Sequence, residues 1–439
     1  MWWIKNVHLV DPAQGISGIR DILVKDGLVR EVSEDIPANR AQEILGADSP
    51  EEIGLVDGQG KYLFPGLVDV HVHLREPGFE DKEDIASGSR AAVRGGFTSI
   101  MAMANTSPVV DHRALAEFVL RQGQRAGKAR VYTAAAVTKG LRGEELVEMM
   151  DLKEGGVSAF SDDGKGIQSA EMMRLALEYA KLTGLPVVAH CEDESLAAGG
   201  AIRKSETSAR LGFKGIPAGS ESVMVVRDVI LAGETGGKLH IAHVSTKESV
   251  EAIRTGKARG LDITAEVNPY HLIFTCEDVT LTDTSYKVNP PLPSKEDQEA
   301  LWQGILDGTI DMLATDHAPH TREEKARPFG EAPFGINGLE TALAAVWQAF
   351  VAKGILSVEK LIELWSLNPA RRFGWEAGTL KPGHPADMVL FDPERREVID
   401  PAGMESRSVN TPYLGREMRG LPEMTWVAGK LVMKDRRVI

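Results

Sequence analysis

The fold is decided by the stretch Asp69-Val70-His71-Val72-His73-Leu74-Arg75, which has the pattern of an apolar strand ending in ligand-type side chains. His71 and His73 stand two residues apart, so on a strand their side chains point to the same face. Two imidazoles on one face can share a metal ion, but a hydrogen-bonded histidine pair gives the same pattern. The sequence around the stretch therefore has to distinguish the two interpretations.

The same pattern recurs along the middle of the chain, where short apolar strands alternate with amphipathic helices such as those at residues 169–182 and 220–231. The strand candidates end near His73, Ala104, Val137, Asp163, His190, His243, Asn268 and Asp316. Eight consecutive βα units predict an α/β protein with a TIM (β/α)8 barrel. A doubly wound open sheet is the competing architecture.

The two ends of the chain have a different residue pattern from the middle. They alternate short apolar runs with turn signals, as around Asp26-Gly27, which is typical of a β-hairpin. We expect residues 1–64 and 376–439 to pair into one small β-sandwich domain, with the barrel at residues 65–375 between them. Neither end carries a cluster of polar residues that looks catalytic.

Composition excludes several function classes. The net charge of −14 makes a nucleic-acid surface improbable, and an anionic ligand would have to meet a local positive group such as an arginine or a metal. Only Cys191 and Cys276 occur, which rules out a disulfide framework and a thiolate zinc site. No stretch approaches the length of a membrane span or a signal peptide, so we expect a cytoplasmic enzyme.

Ligand-type residues fall at several strand ends, where a barrel places its active site. They are His71, His73, Asp163, His190, His243 and Asp316. A set of nitrogen and oxygen ligands suits zinc or a related divalent ion and is large enough for two ions bridged by a carboxylate. Asp162 competes with Asp163 at the fourth strand, and the alternation of side chains does not decide between them.

Two motifs resemble the opening and closing signatures of dihydroorotases in the amidohydrolase superfamily. They are the run from Asp69 to Gly78 and the run Thr315-Asp316-His317-Ala318-Pro319-His320. The resemblance extends from Phe64-Pro65-Gly66 to the run from Lys381 to Asp387, so it covers essentially the whole chain. It implies a cyclic amidohydrolase that interconverts dihydroorotate and N-carbamoyl-aspartate in de novo pyrimidine biosynthesis.

The resemblance also implies a metal site with two zinc ions. Its ligands would be His71, His73 and Asp316 for one ion and His190 and His243 for the other, with Asp163 as the bridge. Many relatives bridge the ions with a carboxylated lysine; Asp163 matches the class I bacterial branch that uses aspartate, and Lys165 lies beyond it in the loop. Asp316 would be the catalytic residue that shuttles the proton of a metal-bound hydroxide.

A set of substrate contacts follows from the same resemblance: His73, Arg75, Asn105, Asn289, His320, Phe334 and Gly335. Arg75 would pair with the carboxylate of a small anionic substrate, because a guanidinium binds a carboxylate at two points. Without the resemblance, Asn289 would be interpreted as a turn residue before proline. The charged stretch at residues 321–335 is a lid candidate, with a solvated connection as the alternative.

Other functions remain to be distinguished. Hydantoinases, dihydropyrimidinases and allantoinases cleave cyclic amides that lack the ring carboxylate, and they typically use the bridging lysine. An inactive dihydroorotase-like scaffold of aspartate carbamoyltransferase would have lost metal ligands, whereas this chain keeps a candidate at every position. We expect a homodimer, and a complex with aspartate carbamoyltransferase is left open. His240 and His317 are interpreted as structural, and His271 is unassigned.

Overall fold

The structure, a computed structural model, describes residues 1–47 and 50–439. Its strands form a parallel barrel, a sheet built from both ends of the chain and a separate two-stranded parallel sheet at residues 202–203 and 215–216. The N-terminal strands are β1 (Trp2–Asp11), β2 (Ile16–Lys25), β3 (Leu28–Ser33), β4 (Gly54–Asp57) and β5 (Tyr62–Pro65). The middle strands are β6 (Leu67–Val72), β7 (Phe97–Ala102), β8 (Arg130–Ala135), β9 (Ala159–Phe160), β10 (Val187–Ala189), β11 (Ile202–Arg203), β12 (Gly215–Ile216), β13 (Leu239–Ile241), β14 (Ile263–Val267) and β15 (Met312–Leu313). The C-terminal strands are β16 (Met388–Val398), β17 (Glu417–Val427), β18 (Lys430–Lys434) and β19 (Arg437–Val438).

The first helix lies among the N-terminal strands, and the other helices connect the middle strands or follow the last of them. They are α1 (Ala38–Leu45), α2 (Ile85–Gly95), α3 (Arg113–Ala126), α4 (Met149–Glu154), α5 (Ala170–Thr183), α6 (Glu194–Ala197), α7 (Glu206–Leu211), α8 (Gly219–Thr235), α9 (Lys247–Ala258), α10 (Pro269–Ile273), α11 (Lys295–Leu306), α12 (Arg322–Lys325), α13 (Ala342–Val346), α14 (Val358–Ile362) and α15 (Asn368–Phe373). Short 3-10 segments lie at Pro50–Glu52, Lys139–Leu141, Cys276–Asp278, Thr284–Tyr286 and Pro401–Gly403, and π-helical turns at Trp347–Val351 and Glu363–Leu367.

The eight barrel strands follow one another around the sheet in chain order, from β6 through β10 and β13 to β15. The two ends of this sheet meet where Val72 pairs with His317 and the His73 N–H donates to the His317 carbonyl at 2.8 Å. A doubly wound sheet would reverse its strand order at a switch point, and this sheet does not. The predicted TIM barrel is therefore confirmed, and the open-sheet alternative is wrong.

The terminal segments form a separate, mostly antiparallel sheet in the order β19-β18-β17-β16-β5-β1-β2-β3, with β4 on β1. The two ends of the chain join where β5 pairs antiparallel with β16. The hairpin predicted at Asp26-Gly27 connects β2 and β3, and both turn residues have the positive φ (52° and 78°) that a tight hairpin turn requires. The predicted second sheet from the two ends is confirmed.

Local sequence signals explain where the helices around the barrel begin and end. At α5 the Ser169 hydroxyl caps the helix by accepting the Met172 N–H, and Gly184 ends it at φ 76°. Its buried face, with Met173 and Leu177, packs on the barrel. Each such helix covers the outer face of the parallel strands, which are buried on both sides and therefore read as continuous apolar runs.

Apolar side chains from the strands fill the barrel interior. Val68, Met101, Ala134, Val188 and Met312 are buried there in one cluster. This packing leaves the polar side chains to the carboxyl ends of the strands, where the loops begin. Among the described residues, no helix is both long enough and apolar enough to cross a membrane.

Candidate active site

One buried carboxylate, Asp163, stands among four histidines that come from three different strands. Its Oδ1 lies 3.3 Å from His71 Nε2, 3.4 Å from His190 Nδ1 and 3.5 Å from His243 Nε2. Its Oδ2 lies 3.4 Å from His73 Nε2. The histidines therefore form two pairs, and each pair shares Asp163 in a group that could hold a metal ion.

The spacing of these atoms fits metal ligands better than hydrogen-bond partners. Atoms bound tetrahedrally at about 2.0–2.3 Å from one ion lie roughly 3.3–3.7 Å apart, which matches the four distances from Asp163. His71 Nε2 and Asp163 Oδ1 are buried without a hydrogen-bond partner among the described residues, although buried polar atoms normally have one. The donor set thus suits divalent metal ions, in two groups of ligands that share Asp163.

The structure distinguishes the two neighbouring aspartates. Asp162 Oδ1 accepts the N–H groups of Val137 (2.7 Å) and Thr138 (3.0 Å), and the Thr138 hydroxyl donates to its other oxygen. Asp162 is therefore engaged in tying the third strand to the fourth, whereas Asp163 faces the histidines. Lys165 is exposed beyond them. Burial would raise the pKa of Asp163, but the surrounding histidines hold it well below its usual range, so the carboxylate is ionised.

Asp316 completes the cluster on the side of the first histidine pair. Its Oδ1 lies 3.1 Å from His73 Nε2 and 3.6 Å from His71 Nε2. Asp316 and His243 both have left-handed backbone conformations, with φ of 47° and 32°. Non-glycine residues rarely adopt such angles, and they concentrate where the surrounding structure imposes a functional geometry.

A buried glutamate that sequence reasoning missed orients the first pair. Glu266, fully buried at the end of β14, accepts from His71 Nδ1 at 2.6 Å and from His240 Nε2 at 2.9 Å. The bond to Nδ1 leaves His71 Nε2 to face Asp163, which is how carboxylates orient metal-binding histidines. Burial opposes ionisation, but the two histidines keep the pKa of Glu266 below its usual range. The available signal in the sequence was a glutamate two residues before Asn268, the predicted end of the strand.

A second carboxylate that was not predicted contacts the other pair. Glu192 Oε2 lies 3.1 Å from His190 Nε2 and accepts from Asn289 Nδ2 at 2.5 Å. His190 Nδ1 is thereby directed toward Asp163. Burial lowers the pKa of His190, but Asp163 and Glu192 outweigh it and raise that pKa to about 10. The sequence signal was the glutamate two residues after a strand-end histidine.

A cavity of about 330 Å³ opens above the cluster, at the small end of the range for ligand sites. The structure brings all seven predicted substrate contacts into its wall: His73, Arg75, Asn105, Asn289, His320, Phe334 and Gly335. Asn105 Oδ1 also accepts a hydrogen bond from His73 Nδ1 at 2.9 Å. His71 lies beneath the cavity and does not line it.

Arg75 and His320 line the cavity beside the histidine cluster. The Arg75 Nε–H donates to the Pro319 carbonyl at 3.2 Å, and its Nη2 lies 3.3 Å from His320 Nε2. Burial, together with Arg75 and Lys82, lowers the pKa of His320 to about 3, so its imidazole is neutral. Because the guanidinium has five N–H donors, these contacts leave donors for a ligand.

The lid candidate at residues 321–335 is anchored and is not a solvated connection. Lys325 Nζ donates to the carbonyls of Pro333 (3.0 Å) and Gly335 (3.1 Å), and Lys287 Nζ donates to those of Phe329 and Gly330. Burial and the neighbouring Lys287 lower the pKa of Lys325 to about 7. These bonds hold Phe334 and Gly335 against the cavity.

Asn410 reaches the same loop from the segment between β16 and β17. Its Oδ1 accepts the His320 N–H at 3.1 Å, and its Nδ2 donates to the carbonyls of Ala318 (3.0 Å) and Gly335 (3.1 Å). The C-terminal segment, which carries no catalytic-looking cluster in the sequence, therefore holds both sides of the loop. No local sequence signal indicates this contact.

The remaining histidines lie outside the cluster. His240 is fully buried beneath it, between Glu266 and Thr264. His317 lies 3.3 Å from Glu83 and accepts the Leu339 N–H. Both contacts agree with the structural interpretation of these residues.

Comparisons with family models give two matches. A model described as dihydro-orotase-like matches residues 60–249, and one described as an amidohydrolase family matches residues 305–433. Together they cover seven of the eight barrel strands, all except β14, and most of the terminal sheet's C-terminal part.

Similar proteins cover nearly the full chain. A dihydroorotase of Pelotomaculum thermopropionicum is 49% identical over 99% of this chain and 98% of its own length, and one of Anaeromyxobacter sp. strain K is 45% identical at the same coverage. Among solved structures, an L-hydantoinase (dihydropyrimidinase) from Arthrobacter aurescens has a TM-score of 0.85 and 27% identity, covering 100% of this chain and 97% of that one.

Proposed function

Because this chain belongs to the dihydroorotase family and is a cyclic amidohydrolase, we propose that it catalyses the reversible hydrolysis of (S)-dihydroorotate to N-carbamoyl-L-aspartate, in de novo pyrimidine biosynthesis. One observation carries the proposal. A single small cavity is lined by members of the Asp163-centred histidine cluster and by a half-buried arginine, Arg75. A substrate that fits would offer a hydrolysable bond to the cluster and an anionic group to Arg75.

The proposal includes two zinc ions. His71, His73 and Asp316 would hold one ion and His190 and His243 the other, with Asp163 as the aspartate bridge. When bound, divalent ions of this kind supply a Lewis acid for the carbonyl and lower the pKa of water toward neutrality. The four buried histidines and the ionised carboxylates between them support this, because buried negative charge that no cation neutralises costs free energy.

The residues of the chain have separable tasks in the proposed reaction. Asp316 takes a proton from the attacking water and delivers it to the ring nitrogen as the ring C–N bond breaks, so that water is added across that bond. Arg75, Asn105 and His320 hold the ring carboxylate. Positioning of this kind lowers the barrier by aligning the carbonyl with the attacking oxygen.

The other face of the ring would meet Asn289 and the loop backbone at Phe334 and Gly335. Gly335 has φ +144°, and a Cβ there would come within 2.7 Å of the Ala318 carbonyl. The loop can therefore approach the ring only with glycine at this position. This supports a role for the backbone, rather than a side chain, at that contact.

A hydantoinase-type activity is the second candidate, because a hydantoinase is similar to this chain over its full length. The two activities differ in substrate charge. A neutral ring would cover the half-buried Arg75 without supplying a counter-ion, which costs binding energy, whereas dihydroorotate supplies one. An inactive scaffold is disfavoured, since the cluster keeps a candidate ligand at each position.

The test is an assay of the metal-loaded protein with dihydroorotate, dihydrouracil, hydantoin and allantoin, alongside elemental analysis. We expect turnover of dihydroorotate to exceed that of each neutral ring, with two zinc ions per chain. Preference for a neutral ring would overturn the proposal in favour of the hydantoinase-type activity. No turnover of any of the four by fully loaded protein would favour the scaffold.

We also propose a homodimer. α8 presents Val223, Val226 and Ile230, exposed by 48%, 43% and 56%, at helical spacing along one face, and a second copy would cover such an apolar stripe. Light scattering of the purified protein tests the dimer. A complex with aspartate carbamoyltransferase rests on the family resemblance alone, and co-elution of the two purified proteins tests it.

A further inference from the structure

The turn that follows β14 carries a tyrosine that no step of the proposed reaction has used. Tyr270 stands second in the short helix α10 and is 5% exposed. Its hydroxyl donates to Asp316 Oδ2 at 2.9 Å. The other oxygen of that carboxylate, Oδ1, is the one that faces His73 and His71.

We propose that Tyr270 is a positioning residue for Asp316, whose hydrogen bond fixes the rotation of the carboxylate so that one oxygen faces the metal ligands and the other is held from behind. The inference rests on the proposed function, because it is Asp316 that moves the proton there. Tyr270 acts through Asp316 and does not touch the substrate, since it is not among the residues that line the cavity.

The carboxylate needs such a restraint for a local reason. Asp316 follows the two-residue strand β15 and has φ 47°, so it stands at a sharp turn rather than within a regular ladder. The terminal torsion of an aspartate is broad, so backbone position alone does not orient its oxygens. A buried donor on one oxygen selects one rotation, and a charge-assisted bond of this kind is among the stronger hydrogen bonds.

Tyr270 can act as a restraint because its own ring is fixed. The ring packs in an apolar cluster with Phe274, Val288 and Ile336, and it lies 4.7 Å from the ring of His271. His271 is in turn held by the Pro290 carbonyl, 2.9 Å from its Nε2. The hydroxyl therefore meets Asp316 from a rigid support.

The first test is Tyr270→Phe, which removes only the hydroxyl. We expect kcat for dihydroorotate to fall about tenfold or more, which corresponds to about 1.4 kcal/mol in the barrier. KM should stay within about twofold and the metal content should be unchanged, because the carboxylate-binding wall and the ligands are untouched. A kcat within twofold of the wild type, or loss of metal, overturns the inference.

The matched control is Tyr286→Phe. Tyr286 is a buried tyrosine of the same apolar cluster, and its hydroxyl accepts from Arg416 Nη2 at 2.9 Å. The same chemical change there should leave kcat within twofold of the wild type. An equal loss of kcat in the two variants would mean that Tyr270 acts only through packing, which overturns the inference.

A second measurement does not depend on activity. In a double-mutant cycle of thermal unfolding, Tyr270→Phe should lower Tm less in the Asp316→Ala background than in the wild type, because the acceptor is already gone. Additive shifts overturn the inference. If wild-type protein hydrolyses none of the rings while this coupling is present, the proposed function has failed and the Tyr270–Asp316 contact has not.

Discussion

Replacing Glu266 by glutamine should weaken one of the two proposed metal positions and spare the other. Glu266 is fully buried and accepts from His71 Nδ1 (2.6 Å) and His240 Nε2 (2.9 Å). A carboxylate can accept both N–H groups, whereas the glutamine amide has one acceptor oxygen and one N–H₂ group. The amide must therefore oppose one imidazole N–H with its own donors or force that imidazole into its other tautomer.

The tautomer determines metal binding at His71. With its proton on Nδ1, Nε2 is free to bind an ion beside Asp163; with the proton on Nε2, that nitrogen cannot be a ligand. Loss of an orienting partner of this kind typically weakens metal affinity about 10- to 100-fold, or roughly 1.4–2.8 kcal/mol. The second position has its own carboxylate, Glu192 beside His190, and should keep its affinity.

Competition between the protein and a chelator, followed by elemental analysis, separates the two positions. We expect Glu266→Gln to lose one ion at a chelator concentration at which the wild type keeps two. The control is Glu340→Gln, because Glu340 is also buried but pairs with Arg94 (2.7 Å) away from the cluster. It should lose stability without losing an ion. If Glu266→Gln binds both ions as the wild type does, the assigned role of Glu266 is wrong.

Three further outcomes follow from the site. Arg75→Met should raise KM for dihydroorotate roughly 10- to 100-fold with both ions retained, since a charge-assisted contact is lost; loss of metal would make Arg75 structural. Asn410→Ala should raise KM by loosening the loop at Gly335 and leave metal content unchanged, which steady-state kinetics and elemental analysis check. Burial lowers the pKa of His271 to about 3 from 6.5, so the unfolded chain binds a proton before the folded one and stability falls as pH drops from 6.5 toward 3. Chemical denaturation at pH 6.5 and at pH 5 should show that the free energy of unfolding of the wild type falls by about 2 kcal/mol between these values, a loss that His271→Gln lacks. Equal losses in the two proteins would contradict this prediction.

Sequence periodicity was sufficient to predict the barrel, because parallel strands that are buried on both faces appear in the sequence as short apolar runs. It also predicted that the strand-end candidates lie close together, since the carboxyl ends of barrel strands converge on one site. The candidates His71, His73, His190 and His243 needed only the strand ends to be read correctly, and these fell within a few residues of the observed bounds.

Contacts between distant segments could not be predicted in the same way. The choice between Asp162 and Asp163 depends on backbone N–H groups of Val137 and Thr138, on the preceding strand. Glu266 on β14 reaches His71 on β6, two strands away around the barrel, and Asn410 reaches the loop from the segment between β16 and β17. Each of these depends on side-chain directions that the fold sets only after its segments have packed, so no local pattern records them.

The charge of the site explains how an acidic chain could select an anionic ring. Beside the histidine cluster, the cavity wall holds Arg75 as a cation and His320 as a neutral imidazole, because burial, Arg75 and Lys82 depress the pKa of His320 to about 3. That wall therefore carries one positive charge across the working range of pH, and one ring carboxylate neutralises it. A neutral ring would cover the half-buried guanidinium without supplying a counter-ion, at a cost that contacts elsewhere on the ring would have to offset. Selection between the two substrate classes thus depends on the penalty for the wrong ring as much as on attraction for the right one.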